Sequence, residues 1–168
     1  MFKPIRVVAP EWVGNISCVS AKVCVEGTER SREAITLYND AVSFVSSAVG
    51  PFADEPVVIF CGTAECARSF GFDKAAAITV GRFGIVVSPR GWKPYYVRHE
   101  MIHHRQAEEL GVLRQWLNPE WFREGMAYFL SEDPRNPLSE PWQRYRTEFE
   151  LWFKQVGRAR LWEEARKL

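Results

Sequence analysis

The chain has 168 residues, 46% hydrophobic and 26% charged, which suits one domain with a sizeable core and is ordinary for a soluble globular protein. Twenty-two Lys and Arg nearly balance 21 Asp and Glu, leaving +1, so there is no electrostatic case for a nucleic-acid partner. No apolar run approaches the length that spans a bilayer, and Met1 to Pro10 lacks the apolar core of a signal peptide. A soluble, cytoplasmic protein is expected, or a secreted or periplasmic one if a signal segment has been removed.

In chain order, Ile16 to Glu26 reads as a strand and Gly27 to Ser31 as a turn with capping residues. Ile35, Tyr38, Val42, Val45 and Val49 then recur at helical spacing until Gly50-Pro51 ends the element. Val57 to Cys61 is a short apolar run of strand type, and Thr63 to Phe70 a short helix closed by Gly71. Ala75 to Val80 and Gly84 to Ser88 flank a glycine-bounded turn and read as a hairpin. Past Asp133-Pro134-Arg135-Asn136-Pro137, a helix beginning near Ser139 carries Trp142, Tyr145, Phe149, Trp152, Phe153 and Val156 on one repeat. Such an aromatic stripe is expected to cover the back of the preceding helices. Gly157 should break it before a short terminal helix from Arg158 to Leu168.

Four cysteines fall as Cys18/Cys24 and Cys61/Cys66. Within one strand Cys18 and Cys24 would lie roughly 20 Å apart, far beyond the roughly 7 Å reach of a bridge. They are therefore not expected to pair with each other. A Cys61–Cys66 bridge or cross-pairing stays open, and reduced, partly buried thiols are the simpler expectation.

The chemistry gathers in His99-Glu100-Met101-Ile102-His103, an H-E-x-x-H run, and in Glu124, twenty-one positions beyond His103. Pro94 suits a first helical position and Gly111 a terminator. Between them Tyr96, His99, His103, Ala107 and Leu110 share one mostly apolar face. Residues four apart are neighbours on a helix, so His99 and His103 can offer two nitrogens to one ion. Glu100 projects beside them, within reach of a water on that ion. Asn118 as N-cap and Pro119 in the first turn start a second helix, which places Glu124 among Trp121, Phe122, Met126 and Phe129. A carboxylate among such neighbours is costly unless paired or metal-bound. Two nitrogens, one oxygen and a fourth place for water describe a catalytic zinc site holding one Zn2+. His104 lies about 100° off the ligand face and is expected to be a surface histidine or a support for a ligand.

H-E-x-x-H followed by the glutamate of Trp121-Phe122-Arg123-Glu124-Gly125-Met126-Ala127 resembles the gluzincin zinc metallopeptidases, in particular their aminopeptidase-N-like and minigluzincin branch. The resemblance covers about residues 75 to 131. It implies that His99, His103 and Glu124 ligate zinc and that Glu100 is the general base. It also implies a zincin-like α+β fold, with a small mixed sheet whose edge strand lies above the active-site helix and with C-terminal helices following. Residues 1–168 would form one domain, 1–92 supplying strands and helices and 93–168 the helices that carry the site. Aminopeptidase-like members have a slightly shorter gap before the glutamate, and their G-x-M-E-N signature is absent here, which weakens an aminopeptidase assignment.

By the same analogy Ala75 to Val80, with Ala77, Ile78 and Thr79 at its centre, is either the edge that binds an extended peptide or an interior strand with small residues. Tyr128 and Tyr145 are candidate oxyanion donors. A peptide or protein substrate follows from the zinc-hydrolase reading. The alternatives are a catalytically inactive domain stapled by zinc and an interaction module with a fortuitous motif.

Overall fold

The computed structural model describes Val7, Pro10 and residues 15–168, so most of the opening segment read for a signal peptide lies outside the described residues. Five strands, β1 (Ile16–Cys18), β2 (Val23–Glu26), β3 (Val58–Phe60), β4 (Ala77–Val80) and β5 (Gly84–Val87), form one mixed sheet in the order β1-β2-β3-β5-β4. Seven α-helices accompany it among the described residues: α1 (Ser31–Val49), α2 (Ala64–Ser69), α3 (Pro94–Leu110), α4 (Val112–Leu117), α5 (Glu120–Leu130), α6 (Trp142–Val156) and α7 (Leu161–Ala165). The α+β expectation holds at this level.

The middle of the sheet is parallel, β2 beside β3 beside β5, and both outer pairs are antiparallel hairpins. Parallel neighbours need crossovers, and helices covering both faces explain why β3 and β5 are buried throughout rather than alternating with polar residues. Val58, Phe60, Ile85 and Val87 face the core shared with α1, α3, α5 and α6, while Ile59 and Val86 face a smaller cluster with Cys61, Cys66 and Phe70. β4 has β5 as its one neighbour and is a sheet edge, as the peptide-binding alternative requires.

One expectation fails outright. Ile16 to Glu26 is a hairpin, not a strand, and its register sets Cys18 opposite Cys24 with Cα atoms 3.8 Å apart. The pair forms a disulfide, Cys61 and Cys66 form a second, and no free cysteine remains. The distance argument against Cys18–Cys24 assumed an uninterrupted strand. The turn that invalidates it lacks glycine, proline or asparagine and is held by Ser20, whose hydroxyl accepts from the backbone N–H groups of Lys22 and Val23.

α6 lies along α5 through a seam of rings, Phe149 against Phe122 and Phe129, and Trp152 against Trp121, as the aromatic stripe implied. α7 docks firmly, with Leu161 and Ala165 fully buried and the Trp162 indole donating to Val49 O.

Candidate metal centre

α3 spans Pro94 to Leu110, the bounds the sequence implied, and Gly111 ends it at φ 80°, a left-handed conformation open to glycine. α5 begins one residue later than expected. Asn118 does not cap it but turns its amide toward Ala165 O in α7, and no side chain caps the helix start. Glu124 still lands on the face that meets α3. Next to it Gly125 lets α5 approach α6 closely: a Cβ there would sit 2.2 Å from Tyr145 O.

The three expected ligands converge. His99 Nε2 and His103 Nε2 face each other at 3.1 Å, and Glu124 Oε2 lies 3.7 and 3.6 Å from them. Nitrogen and oxygen ligands at zinc distances around a tetrahedral centre stand about 3.3 Å apart, so the three separations fit one cation. Two imidazole nitrogens this close need a proton or a cation between them, since two bare lone pairs would repel. Among the described residues this is the one group of three or more His, Cys, Asp or Glu side chains arranged to hold a metal.

Without metal, a proton takes the cation's place. Burial would depress the His103 pKa, but Glu124, Glu100 and Gln106 outweigh it and raise it to about 9. Burial would likewise raise the Glu124 carboxyl, yet the facing His103 and His99 hold it far below the usual carboxylate range. The pair is poised to exchange a proton for a metal ion.

Several supporting residues were not foreseen. Gln106, one turn past His103 and fully buried, accepts from His103 Nδ1 at 3.0 Å while its amide donates to Arg123 O. Those two bonds orient the Gln106 amide and reserve His103 Nε2 for the ion. Gln115 Nε2 donates to His103 O, tying α4 to the ligand helix. The signal for Gln106 was in the sequence, on the ligand face at i+3, but a glutamine at that spacing is equally common as a solvated residue. Thr79 Oγ1 lies 2.7 Å from Glu100 Oε2, so the edge strand holds the expected general base in place.

Tyr128 lines the cleft, its ring edge-on to His99 with centroids 4.5 Å apart, and burial followed by the charge of Glu124 raises its hydroxyl to about 12. Tyr145 is not among the lining residues, and its hydroxyl donates to Glu120. His104 is neither a surface residue nor a support for a ligand. It is buried with Nε2 3.0 Å from Asp54 O and 3.7 Å from Glu108, beneath the loop that follows α1, and burial lowers its pKa. The adjacent Arg105 and Glu108, charged and suggestive of a surface, pair with each other internally at 2.8 Å.

The ligands open into a cleft of about 820 Å³. It is lined by Ala77 to Thr79 of β4, by Tyr128 and Trp142, and by the exposed Val112 and Trp116 of α4. No helix is long and apolar enough to cross a membrane among the described residues. Comparison with known protein families, curated proteins and solved structures finds no match for this chain.

Proposed function

We propose that this chain is a zinc-dependent peptide hydrolase of gluzincin type, with a zincin-like fold. The observation that carries the reading is the convergence of His99, His103 and Glu124 on one point, with Glu100 held beside it by Thr79. A structural zinc is enclosed by four protein ligands, whereas three ligands opening on a large cleft leave a position for chemistry.

His99, His103 and Glu124 would hold the ion. Bound there, zinc supplies a Lewis acid for a carbonyl oxygen and brings the pKa of a water near neutral. Glu100, its Oε2 engaged by Thr79, takes the proton of the attacking water and delivers it to the leaving amine. Tyr128, whose raised pKa keeps its hydroxyl protonated, donates to the oxygen that becomes negative. The free edge of β4 pairs with an extended peptide backbone, as exposed edges do. Both disulfides favour an oxidising compartment over the cytoplasmic placement expected from the opening residues.

The test is metal content together with cleavage of a peptide library, read by mass spectrometry, for wild type and Glu100→Gln. The variant should keep its zinc and lose about 100-fold or more in turnover. Equal turnover by the variant would refute the hydrolase reading.

A further inference from the structure

Among the described residues seven large apolar side chains are exposed, and six of them are linked in one patch: Phe83, Val112, Leu113, Trp116, Leu117 and Leu168. The seventh, Leu151, stands alone on α6. The hairpin tip reaches the patch at Gly81, where a Cβ would lie 3.9 Å from both Phe83 and Val112. Val112, Leu113, Leu117 and Leu168 line a second hollow of about 600 Å³, and Val112 and Trp116 line the metal cleft. α4 buries none of its six residues, yet it is fixed in place, Gln115 donating to His103 O and Arg123 donating to Trp116 O. A rigid, unburied apolar platform of this kind marks an interaction site.

Its continuity with the cleft identifies the occupant. The same cavity is bounded by the unpaired edge of β4 on one side and by Trp116 on another. A peptide extended along β4 projects alternate side chains to one side at intervals of about 6.6 Å. Trp116 and Val112, lining the same cavity as β4, offer such side chains an indole and a branched aliphatic group. A lipid surface would engage Leu113 and Leu117, but it would leave unexplained why the apolar surface runs inward to the metal ligands.

We propose that Val112 and Trp116 form a specificity wall for a large apolar side chain, of the leucine or phenylalanine class, in a peptide held along β4. The proposal rests on the hydrolase reading for the position of that side chain near the scissile bond, but peptide selection is measurable without hydrolysis.

The probes are labelled ten-residue peptides, identical except for Leu, Phe, Ser or Asp at a single position, titrated by fluorescence anisotropy into zinc-loaded Glu100→Gln protein. Leu and Phe peptides should bind at least about tenfold tighter than Ser or Asp peptides. Adding Trp116→Ala should weaken their binding about thirtyfold, the effect of removing an aromatic anchor, with zinc content unchanged. Leu151→Ser should leave binding unaltered and serves as the exposed-apolar control. Selectivity that survives Trp116→Ala, or no apolar preference at all, would overturn the proposal. So would a Trp116→Ala effect confined to binding of phosphatidylcholine/phosphatidylglycerol vesicles, or to self-association seen by sedimentation. Selective binding by Glu100→Gln with no cleavage by wild type would uphold the wall and sink the hydrolase reading instead.

Discussion

Gly125 follows Glu124 directly and faces α6, so replacing it with alanine tests how tightly the metal ligand depends on helix packing. The new Cβ would meet Tyr145 O at 2.2 Å, Tyr145 C at 2.8 Å and Phe149 Cβ at 2.9 Å, mostly backbone that cannot swing aside. Restoring ordinary van der Waals separation requires α5 and α6 to part by about 1 Å, which forfeits a quarter to a half of the dispersion energy across the seam. That seam holds Phe122 against Phe149 and Phe129 against Phe153. Overpacking costs about 1–3 kcal/mol and sometimes more, while the better helix propensity of alanine returns about 1 kcal/mol. A net loss of about 2 kcal/mol lowers the thermal midpoint by roughly 4–8 °C in a chain of this size. Because the ligand carboxylate moves with its helix, zinc affinity should fall at least about tenfold, ligand geometry tolerating only about 0.5 Å of displacement. Circular-dichroism melting and competitive titration with a chromophoric chelator read both effects. Gly111→Ala, strained at φ 80° but with nothing within 4 Å, should lose some stability and keep full zinc affinity. A Gly125→Ala protein as stable as wild type, with the same zinc affinity, would refute the packing argument.

Three further outcomes follow from the same geometry. Gln106→Ala should weaken zinc binding about 10–100-fold in the same chelator titration, because His103 Nδ1 loses its acceptor; an unchanged affinity would mean the ring is oriented by something else. In the metal-free chain the His103 pKa, about 9, exceeds its unfolded value, so the stability it contributes is complete below about pH 6.5 and vanishes as pH rises through about 9. Zinc must displace that proton, so apparent affinity should rise about tenfold per unit from about pH 7 to about 9, with about one proton released in calorimetry; a flat profile would contradict this. Reducing both disulfides with a phosphine should cost about 2 kcal/mol for each short loop while zinc is retained, since Cys24, Cys61 and Cys66 lie on the sheet face away from the site; loss of zinc on reduction would contradict this separation.

What could be read from the sequence was local. The bounds of α3, the position of Glu124 and the hairpin whose outer strand forms the edge all follow from helical or alternating periodicity within about twenty residues. What could not be read depended on distant partners. The turn between β1 and β2 is closed by the Ser20 hydroxyl and by backbone bonds from Val19 and Ser20 to Val23 O, and without a glycine or proline to announce it the two strands merge into one. His104 looks solvated until the loop at Asp54 closes over it. Asn118 has the composition of an N-cap, but Ala165, some forty-seven residues later, claims its amide. Trp142 belongs to the aromatic stripe by spacing, yet it stands beside Tyr128 at the cleft, because the stripe outruns the helix it covers.

The central claim is that three side chains from two helices hold one divalent cation. Anomalous diffraction at the zinc edge, from crystals of zinc-loaded protein, measures this directly. A single peak per chain is expected about 2.0–2.2 Å from His99 Nε2, His103 Nε2 and a Glu124 carboxylate oxygen. A peak elsewhere, or one bound by the histidines with Glu124 turned away, would contradict it.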